Sequence, residues 1–253
     1  TVITNKARFF AIDTRFKFLA VSGTVKPHLG QPGIGISYCI ADDYMCAETD
    51  GAQISLAKLR SLRPDLTVPE VRGAGEWKLF TKMARKGVDW SDETSRWHPD
   101  FCREVDMTRE RKLFRQRPGR DLLPLIEGRM VQQHRFGAKA YVAGTGRRAE
   151  WEALPIGCAA VAPQFWIAKQ DLPGRAADRA KAVRAGFCDI AGQTNERSMM
   201  AAVIPAGVAC GNKVPTVVFP ALEDDALHLW CGMVNSLAFD WLLRRILTTT
   251  VNY

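Results

Sequence analysis

Eleven cationic side chains lie within the forty residues from Arg109 to Arg148, which hold only three acidic residues. These cations are Arg109, Arg111, Lys112, Arg115, Arg117, Arg120, Arg129, Arg135, Lys139, Arg147 and Arg148. This cationic segment therefore has a net charge of +8, which equals the formal charge of the whole chain of 253 residues. A guanidinium can form two parallel hydrogen bonds with a phosphate or with the edge of guanine, which an ammonium cannot do. The segment predicts a surface for an anionic partner, nucleic acid in particular; the simplest alternative is a solvated loop with scattered ion pairs.

A second candidate for chemistry is the stretch Gly144–Ala149, which is similar to the glycine fingerprint of dinucleotide-binding folds. Such glycines would let the backbone approach a pyrophosphate at the start of a helix. The helix that could follow, Arg147–Leu154, would span about two turns before Pro155, too short to cross over between parallel strands. We therefore favour a hairpin loop that carries two arginines, with a nucleotide-binding enzyme as the alternative. No Gly-x-Ser-x-Gly elbow, Gly-x-x-x-x-Gly-Lys loop or convincing catalytic triad is found in the sequence.

The seven cysteines and four histidines show none of the spacings that structural zinc favours, so no metal site is predicted. Most cysteines have apolar neighbours, which is typical of reduced, buried thiols in a cytoplasmic protein. No apolar run approaches the roughly 20 residues of a membrane span. Hydrophobic residues form 47% and charged residues 25% of the chain, which excludes a disordered protein. The start at Thr1, without a charged and then apolar leader, predicts no secretion signal.

Hydrophobic periodicity predicts a mixed α/β fold that would hold these side chains in place. The predicted strands are Arg15–Val21, Gly33–Ala41, Ala138–Ala143, Gln164–Lys169, Ser198–Pro205 and Val214–Phe219. The first two are expected to pair as an N-terminal β-hairpin. The predicted helices are a short one that starts after Ser55, then Glu76–Arg85, Arg175–Arg184, and one long C-terminal helix over Asp224–Leu247.

Four blocks, in order along the chain, resemble a known family. They are FFAIDTRFKF at 9–18; LRPD at 62–65 with Val68-Pro69 and the helix at Trp77; LPLIEGRMV at 123–131 with His134-Arg135-Phe136; and residues 186–240, through GFCDIA, TNER and NSLAFD. Together they resemble the C-terminal target-recognition region of large adenine-specific DNA methyltransferases, the single-chain restriction–modification and phage-exclusion kind. Ile126 stands where the family usually has Tyr, Arg129 stands where it usually has Lys, and the segment after Gln132 is shortened.

The resemblance implies three regions. Residues 1–50 would be a β-hairpin that completes a methyltransferase-like sheet, 51–121 a linker and helical region, and 122–253 the target-recognition domain. The family's catalytic Asn-Pro-Pro-Tyr motif and its loop for S-adenosylmethionine are absent. The expectation is therefore a C-terminal portion or split subunit that is not catalytic by itself and binds no cofactor, while the parent enzyme uses S-adenosylmethionine. Its expected partners are double-stranded DNA and a catalytic methyltransferase domain, with no membrane.

The resemblance also implies roles for side chains. Candidates for reading base edges are Arg129, Gln132, Gln133, His134 and Arg135, because arginine suits guanine and glutamine suits adenine. Candidates for phosphate contact are Arg115, Arg117, Arg120, Lys139, Arg147 and Arg148. A second tier is Asn195, Arg197, Asn212 and Lys213; for Asn195-Glu196-Arg197 a buried polar network that holds two loops is favoured. Besides the nucleotide-binding enzyme, a further alternative is a protein-interaction subunit whose apolar N-terminal hairpin completes the sheet of a partner methyltransferase.

Overall fold

The computed structural model describes residues 2–5, 8, 10–14, 16–23, 33–39, 51–87, 92–158, 160–192, 195–247 and 250–251, without the side chains of residues 38, 39 and 147. Within these ranges the fold is mixed α/β, with several small sheets and five α-helices, as the sequence predicts at this level. None of the described helices combines the length and the apolar character needed to cross a membrane. The chain forms two compact units, Thr1–Gly87 with Arg244–Ile246, and Val88–Leu243 with Leu247–Tyr253. The boundaries at residues 50 and 121 stay predictions.

The strands of the first unit are β1 (Val2–Thr4), β2 (Lys17–Leu19), β3 (Gly33–Ile36), β4 (Tyr38–Cys39) and β5 (Ala52–Ser55). One sheet has the order β2-β1-β4, antiparallel and then parallel, and β3 pairs with β5 in a second sheet. The predicted hairpin between Arg15–Val21 and Gly33–Ala41 is therefore wrong. Both segments contain strands, but β1 lies between β2 and β4. Alternation along a strand reports which face is apolar and does not encode the neighbouring strand.

Two helices of the first unit match the predictions. Helix α1 (Leu56–Leu62) starts at Ser55, whose Oγ accepts a hydrogen bond from the Lys58 amide at 3.2 Å. Helix α2 (Ala74–Ala84) buries Phe80. The carboxylate of Glu76, in the first turn of α2, binds the Arg245 guanidinium at 3.1 Å. Phe80 therefore belongs to the apolar core of this unit, and the Glu76–Arg245 ion pair lies in the same unit.

Three sheets build the second unit. Their strands are β6 (Asp100–Cys102), β7 (Phe114–Arg115), β8 (Leu122–Ile126), β9 (Lys139–Ala143), β10 (Glu150–Ala153), β11 (Trp166–Ala168), β12 (Arg184–Phe187), β13 (Ala201–Ile204), β14 (Ala209–Cys210) and β15 (Thr216–Val218). The sheet orders are β13-β12-β15-β6, β14-β8-β11-β7 and the hairpin β9-β10. The four strands predicted after residue 137 are therefore confirmed as β9, β11, β13 and β15.

The predicted long helix Asp224–Leu247 is wrong, because the structure has two helices, α4 (Asp225–Val234) and α5 (Leu237–Arg244). The break lies at Asn235, whose side chain accepts from the Ala201 amide at 3.0 Å and donates to the Ala201 carbonyl at 2.8 Å. The Ser236 hydroxyl accepts from the Phe239 amide and so starts α5. Periodic apolar positions continue across the break, so the pattern alone hides it.

The predicted helix Arg175–Arg184 is also mostly wrong. Helix α3 (Ala176–Arg179) is one turn long, and Arg184 opens β12 instead. Arg184 and Glu104 are both fully buried and form a two-pronged ion pair, with Nε–Oε1 at 2.6 Å and Nη2–Oε2 at 2.9 Å. The same carboxylate accepts from the Cys210 amide at 2.8 Å and the Thr216 hydroxyl at 2.9 Å. This network joins strands of two sheets. Arg184 must lie in β12 to take part in it, and this requirement outweighs the helix propensity around Ala180.

The main apolar core of the second unit lies between the sheet that contains β12 and the helix α4. Trp230 on α4 is 1% exposed, and its ring centroid is 6.2 Å from that of Phe187 and 6.5 Å from that of Phe219. Aromatic pairs at such spacing pack as in ordinary protein interiors. Trp230 therefore lies in the core of the second unit.

Candidate nucleic-acid interface

The loop Gly144–Ala149 connects the antiparallel strands β9 and β10, as favoured from the sequence. A single 3₁₀ turn, Gly146–Arg148, forms its tip and leads into strand β10, where the nucleotide-binding alternative needs a helix. Gly144 has φ of +82°, and a Cβ there would lie 2.3 Å from the Arg148 carbonyl oxygen. Only glycine fits this tight return of the backbone. The loop therefore presents Arg148, which is exposed, at the end of a two-stranded ribbon; the Arg147 side chain lies outside the described residues.

Arg129 lies at the base of this ribbon. Its guanidinium carbon is 5.1 Å from the ring centroid of Trp151 on β10, a cation–π contact, and its Nε is 3.8 Å from Oε2 of Glu127. The Trp151 ring in turn packs edge-to-face on Tyr141 of β9, at 5.6 Å between centroids. The Arg129 side chain keeps 45% of its surface exposed. The guanidinium is thus oriented by an aromatic face and a carboxylate while it remains open to a ligand.

Glu127 is the acidic member of this group. Its Oε1 is buried without a hydrogen-bond partner among the described residues. Burial raises the pKa of the Glu127 carboxyl above 4.5, and the nearby Arg129 charge opposes that shift only in part. Gly128 fits between the carbonyl of Lys213 and the thiol of Cys188, with its hypothetical Cβ 3.1 and 3.3 Å from them. The sequence Glu127-Gly128 therefore acts as a close-packed turn from which the Arg129 side chain extends to the surface.

The other base-reading candidates form one tight turn. The Gln132 amide donates to the Arg135 carbonyl at 2.8 Å, and the Arg135 amide donates to the Gln132 carbonyl at 3.1 Å. His134 has a left-handed backbone, with φ of +61°, and its amide donates to the Ala201 carbonyl at 2.8 Å. Gln132 and His134 are exposed. The Gln133 amide group donates to the Asn235 carbonyl, and the Arg135 guanidinium donates to the carbonyls of Leu154 and Pro155.

The turn thus divides its side chains into two kinds. The Gln132 side chain faces solvent and the exposed His134 imidazole has its Nε2 3.5 Å from Nδ2 of Asn235, whereas the side chains of Gln133 and Arg135 hold backbone carbonyls of Asn235 and of the chain after β10. A left-handed non-glycine residue is uncommon and often occurs where the surroundings fix a functional loop. The assignment of all five residues to base reading stays a prediction.

The phosphate candidates Arg115, Arg117 and Arg120 lie on β7 and in the loop before β8, and all three are exposed. Arg115 makes only long hydrogen bonds, of 3.3–3.4 Å, to neighbouring carbonyls. Among the described cations of the cationic segment, ion pairs within 4.0 Å involve Arg109 with Asp106 and Arg129 with Glu127 alone, and the segment's own Asp121 lies 3.9 Å from Lys169 outside it. Most described cations of the segment therefore have no acidic partner within 4.0 Å, and the choice between a surface for an anionic partner and a solvated loop stays a prediction.

Four arginines of the second unit outside the segment form ion pairs, although others outside it, such as Arg60, Arg85 and Arg96, are exposed like most of those of the segment. Arg175 and Arg179 both bind Asp100, Arg103 binds Asp189, and Arg184 binds Glu104. Those four cations form ion pairs with acidic side chains of the same unit, whereas most described cations of the cationic segment are exposed to solvent. Unpaired guanidinium groups on one stretch of chain form an electrostatic footprint for a polyanion.

One segment links the two groups of cations. Trp166 on β11 pairs with Arg115 on β7, and two residues earlier the Gln164 side chain donates to the Gly144 carbonyl at 3.3 Å. The Tyr141 amide donates to the Ala162 carbonyl at 2.9 Å, and the Tyr141 hydroxyl to the Gly144 carbonyl at 2.6 Å. Arg115 and the arginine-bearing ribbon therefore border the same segment, residues 162–166. Lys139, the first residue of β9, is half-buried on this ribbon.

The second-tier candidates lie elsewhere in the unit. Arg197 donates to the Asn235 carbonyl, so it holds two loops together, as favoured for this residue. Asn195 and Glu196 are exposed, so the network is less buried than expected. The Asn212 side chain accepts from the Met107 amide at 3.5 Å, and Lys213 lies 3.5 Å from Asp189. These contacts are structural, and no ligand role is tested for them.

Sequence reasoning missed the Glu104–Arg184 pair, because its members are 80 residues apart and each stands among ordinary neighbours. A faint signal exists, since Arg184 precedes the apolar run Ala185–Phe187 without any nearby acid. Reasoning from the sequence also missed Trp151 as the support of Arg129. Its position in an alternating stretch after Gly144–Ala149 would have been the available signal.

Metal-ligating side chains do not gather in the described part of the chain, where no three His, Cys, Asp or Glu residues lie close enough to hold an ion. Of the five cysteines whose side chains are described, Cys158 is exposed and the others are buried. Burial raises the pKa of the Cys231 thiol to about 12. Compared with models of known protein families and with curated proteins, the chain matches none.

Proposed function

We propose that this chain is the sequence-specific DNA recognition module, a C-terminal part, of an adenine-specific DNA methyltransferase from a restriction–modification or phage-defence system. The observation that carries the DNA-binding part is the cationic segment, whose described arginines other than Arg135 are exposed and mostly without acidic partners. The methyltransferase part rests on the resemblance of the four sequence blocks. The module is not catalytic by itself, and S-adenosylmethionine belongs to the catalytic domain that it would accompany.

The proposed mechanism separates positioning from reading. Arg115, Arg117, Arg120 and the arginines of the β9-β10 ribbon would bind phosphates and fix the register of the duplex. Arg129 would present its two-pronged edge to guanine, since Trp151 and Glu127 already restrict its rotation. Gln132 and His134, exposed on the neighbouring turn, would contact adjacent base edges. The duplex held in this way would present the target adenine to the catalytic domain.

A gel-shift titration at two salt concentrations tests the phosphate assignment, on duplexes selected by the full chain from a randomised library. The double variant Arg147→Ala plus Arg148→Ala is compared with Lys78→Ala plus Lys82→Ala, which removes equal charge from the exposed face of α2. Each lost phosphate contact lowers the slope of log affinity against log salt by about 0.9, so the first variant should lose about 2 and the control none. Unchanged affinity and slope in the first variant would refute the assignment.

The reading assignment has its own test. Repeating the library selection with Arg129→Ala should remove a guanine preference at one position while the other positions stay fixed, because only the base contact is lost. A uniform loss of affinity, with the selected sequence unchanged, would make Arg129 a backbone contact instead.

A second candidate function, a protein-interaction subunit, is favoured by the exposed apolar side chains of the first unit. They are Phe10, Ile12, Phe16, Leu19 and Val21, with exposures from 48% to 87%. Soluble proteins rarely expose so many large apolar side chains on one short stretch unless a partner covers them. The partner proposed is a methyltransferase chain that bears the Asn-Pro-Pro-Tyr motif, and this role is compatible with DNA recognition.

Copurification with such a chain tests the interaction. The variant Leu19→Ser plus Val21→Ser should lose the partner, whereas Leu79→Ser, an exposed apolar position on α2, should retain it. Equal retention by both variants would count against the N-terminal surface. Calorimetry with dinucleotides tests the nucleotide-binding alternative, and the absence of any heat of binding would exclude that alternative.

A further inference from the structure

A cavity of about 370 Å³ opens beside the Gln132–Arg135 turn in the second unit. Its apolar wall is formed by Phe136, Val183, Val203, Pro205 and Cys231. The polar groups of its lining side chains are the two imidazoles of His134 and His228, both exposed residues. A mostly apolar cavity of this size with a few polar groups is typical of small-ligand sites.

The lining selects the chemical class of the occupant. None of the lining side chains is a carboxylate, a guanidinium or an ammonium, so the cavity offers no permanent charge to pair with a charged group. Phe136 and the aliphatic side chains offer contact to a flat ring, while the imidazoles can donate or accept hydrogen bonds at the ring edge, with Nε2 of His134 also 3.5 Å from Nδ2 of Asn235. A nucleobase combines these properties, with an apolar face and a polar edge.

The position of the cavity ties it to the candidate interface. His134 is the left-handed residue of the turn, and Phe136 follows it by two residues. Arg135, between them, fixes the backbone by donating to the carbonyls of Leu154 and Pro155. The cavity therefore opens where the proposed function places the bases of the duplex.

We propose that this cavity receives a single base that leaves the stack of the bound DNA, with Phe136 against its face and the two imidazoles at its edge. The proposal rests on the proposed function, since it needs DNA on the neighbouring cationic segment. An unstacked base is read by stacking and edge hydrogen bonds in a close-fitting pocket. This would add recognition of one base to the contacts made in the groove.

Fluorescence of 2-aminopurine tests the proposal, because its emission rises when the base unstacks. The analogue is placed in turn at each position of the duplex selected by the full chain. The variant His228→Trp places a large ring in the cavity. The control variant Leu229→Trp adds the same ring at the next position of α4. Leu229 is 62% exposed and does not line the cavity. Both sites are exposed, so folding should survive, and circular dichroism checks it.

The wild type and Leu229→Trp should show a severalfold rise in emission at one position, and His228→Trp should show none and bind about tenfold more weakly. DNA binding without any rise at any position would overturn the cavity proposal and leave the proposed function intact. An equal rise in all three proteins would also overturn it, since the base would then leave the stack for another place. Failure of the wild type to bind any duplex would overturn both proposals.

Discussion

Removing one partner of the buried Glu104–Arg184 pair should destabilise the second unit more than any surface change. In Arg184→Met the Glu104 carboxylate stays fully buried, loses both guanidinium bonds and keeps only the Cys210 amide and the Thr216 hydroxyl. Breaking a buried ion pair in this way costs about 3–5 kcal/mol. Because small domains are stable by about 5–15 kcal/mol in all, we expect Arg184→Met to lose a large share of its stability.

The double variant Glu104→Leu plus Arg184→Met should lose less than the two single changes together. It leaves no buried charge, so what remains is the unsatisfied amide of Cys210 and carbonyl of Val208, at about 1–3 kcal/mol for each group, while the Thr216 hydroxyl keeps the Cys102 carbonyl. We expect a loss of about 2–4 kcal/mol for the double variant, against about 8 kcal/mol for the sum of the single variants. The difference measures the coupling of the pair.

Urea denaturation followed by circular dichroism gives these free energies of unfolding. Arg175→Met is the matched control, because its ion pair with Asp100 is exposed and such pairs contribute about 0–1 kcal/mol. A loss below 1 kcal/mol in Arg184→Met, or a double variant that equals the sum of the singles, would refute the reasoning.

Three further predictions follow from single residues. His134→Gly should be about 1 kcal/mol more stable than His134→Ala in thermal unfolding, because alanine keeps the strain of the left-handed backbone and glycine does not; equal stability would contradict this. The raised pKa of Glu127 means that its ionised form weakens folding above that pKa, and that this penalty is gone below the ordinary value of 4.5. Glu127→Gln should therefore gain stability over the wild type at neutral pH and lose that advantage on acidification through the raised pKa; a gap in urea midpoints that does not change with pH would refute this. Cys158 should react with a thiol reagent in the native protein, while Cys231, buried and with a pKa of about 12, should react only after unfolding; mass mapping that finds Cys231 labelled early would disprove its burial.

Local patterns predicted the elements well where the cause is local. The start of α1 at Ser55, the helix α2 and the strands β9, β11, β13 and β15 follow from caps and periodicity. The β9-β10 hairpin followed from counting residues before Pro155. In each case, the deciding interaction lies within a few residues along the chain.

Long-range demands explain what the sequence could not predict. The break between α4 and α5 depends on hydrogen bonds from Asn235 to Ala201, 34 residues away. The short α3 depends on the ion pair between Arg184 and Glu104. The pairing of β2 with β1 rather than with β4 depends on the position of β1 between these two strands. For the candidate interface, the exposure of the arginines follows from composition, but the support of Arg129 by Trp151 needs the fold.

For the proposed recognition module, the two kinds of side chain in the Gln132–Arg135 turn indicate how its target could be changed. Gln133 and Arg135 hold the turn to the rest of the unit, so most substitutions there would disturb its shape. The Gln132 side chain makes no hydrogen bond to a described residue, and the Arg129 guanidinium is held by the Trp151 ring and by Glu127, 3.8 Å away, and by no backbone group. Residues of the second kind can be exchanged without rebuilding the scaffold. Retargeting, by selection or by design, would therefore begin at Gln132 and Arg129 and leave their two neighbours untouched.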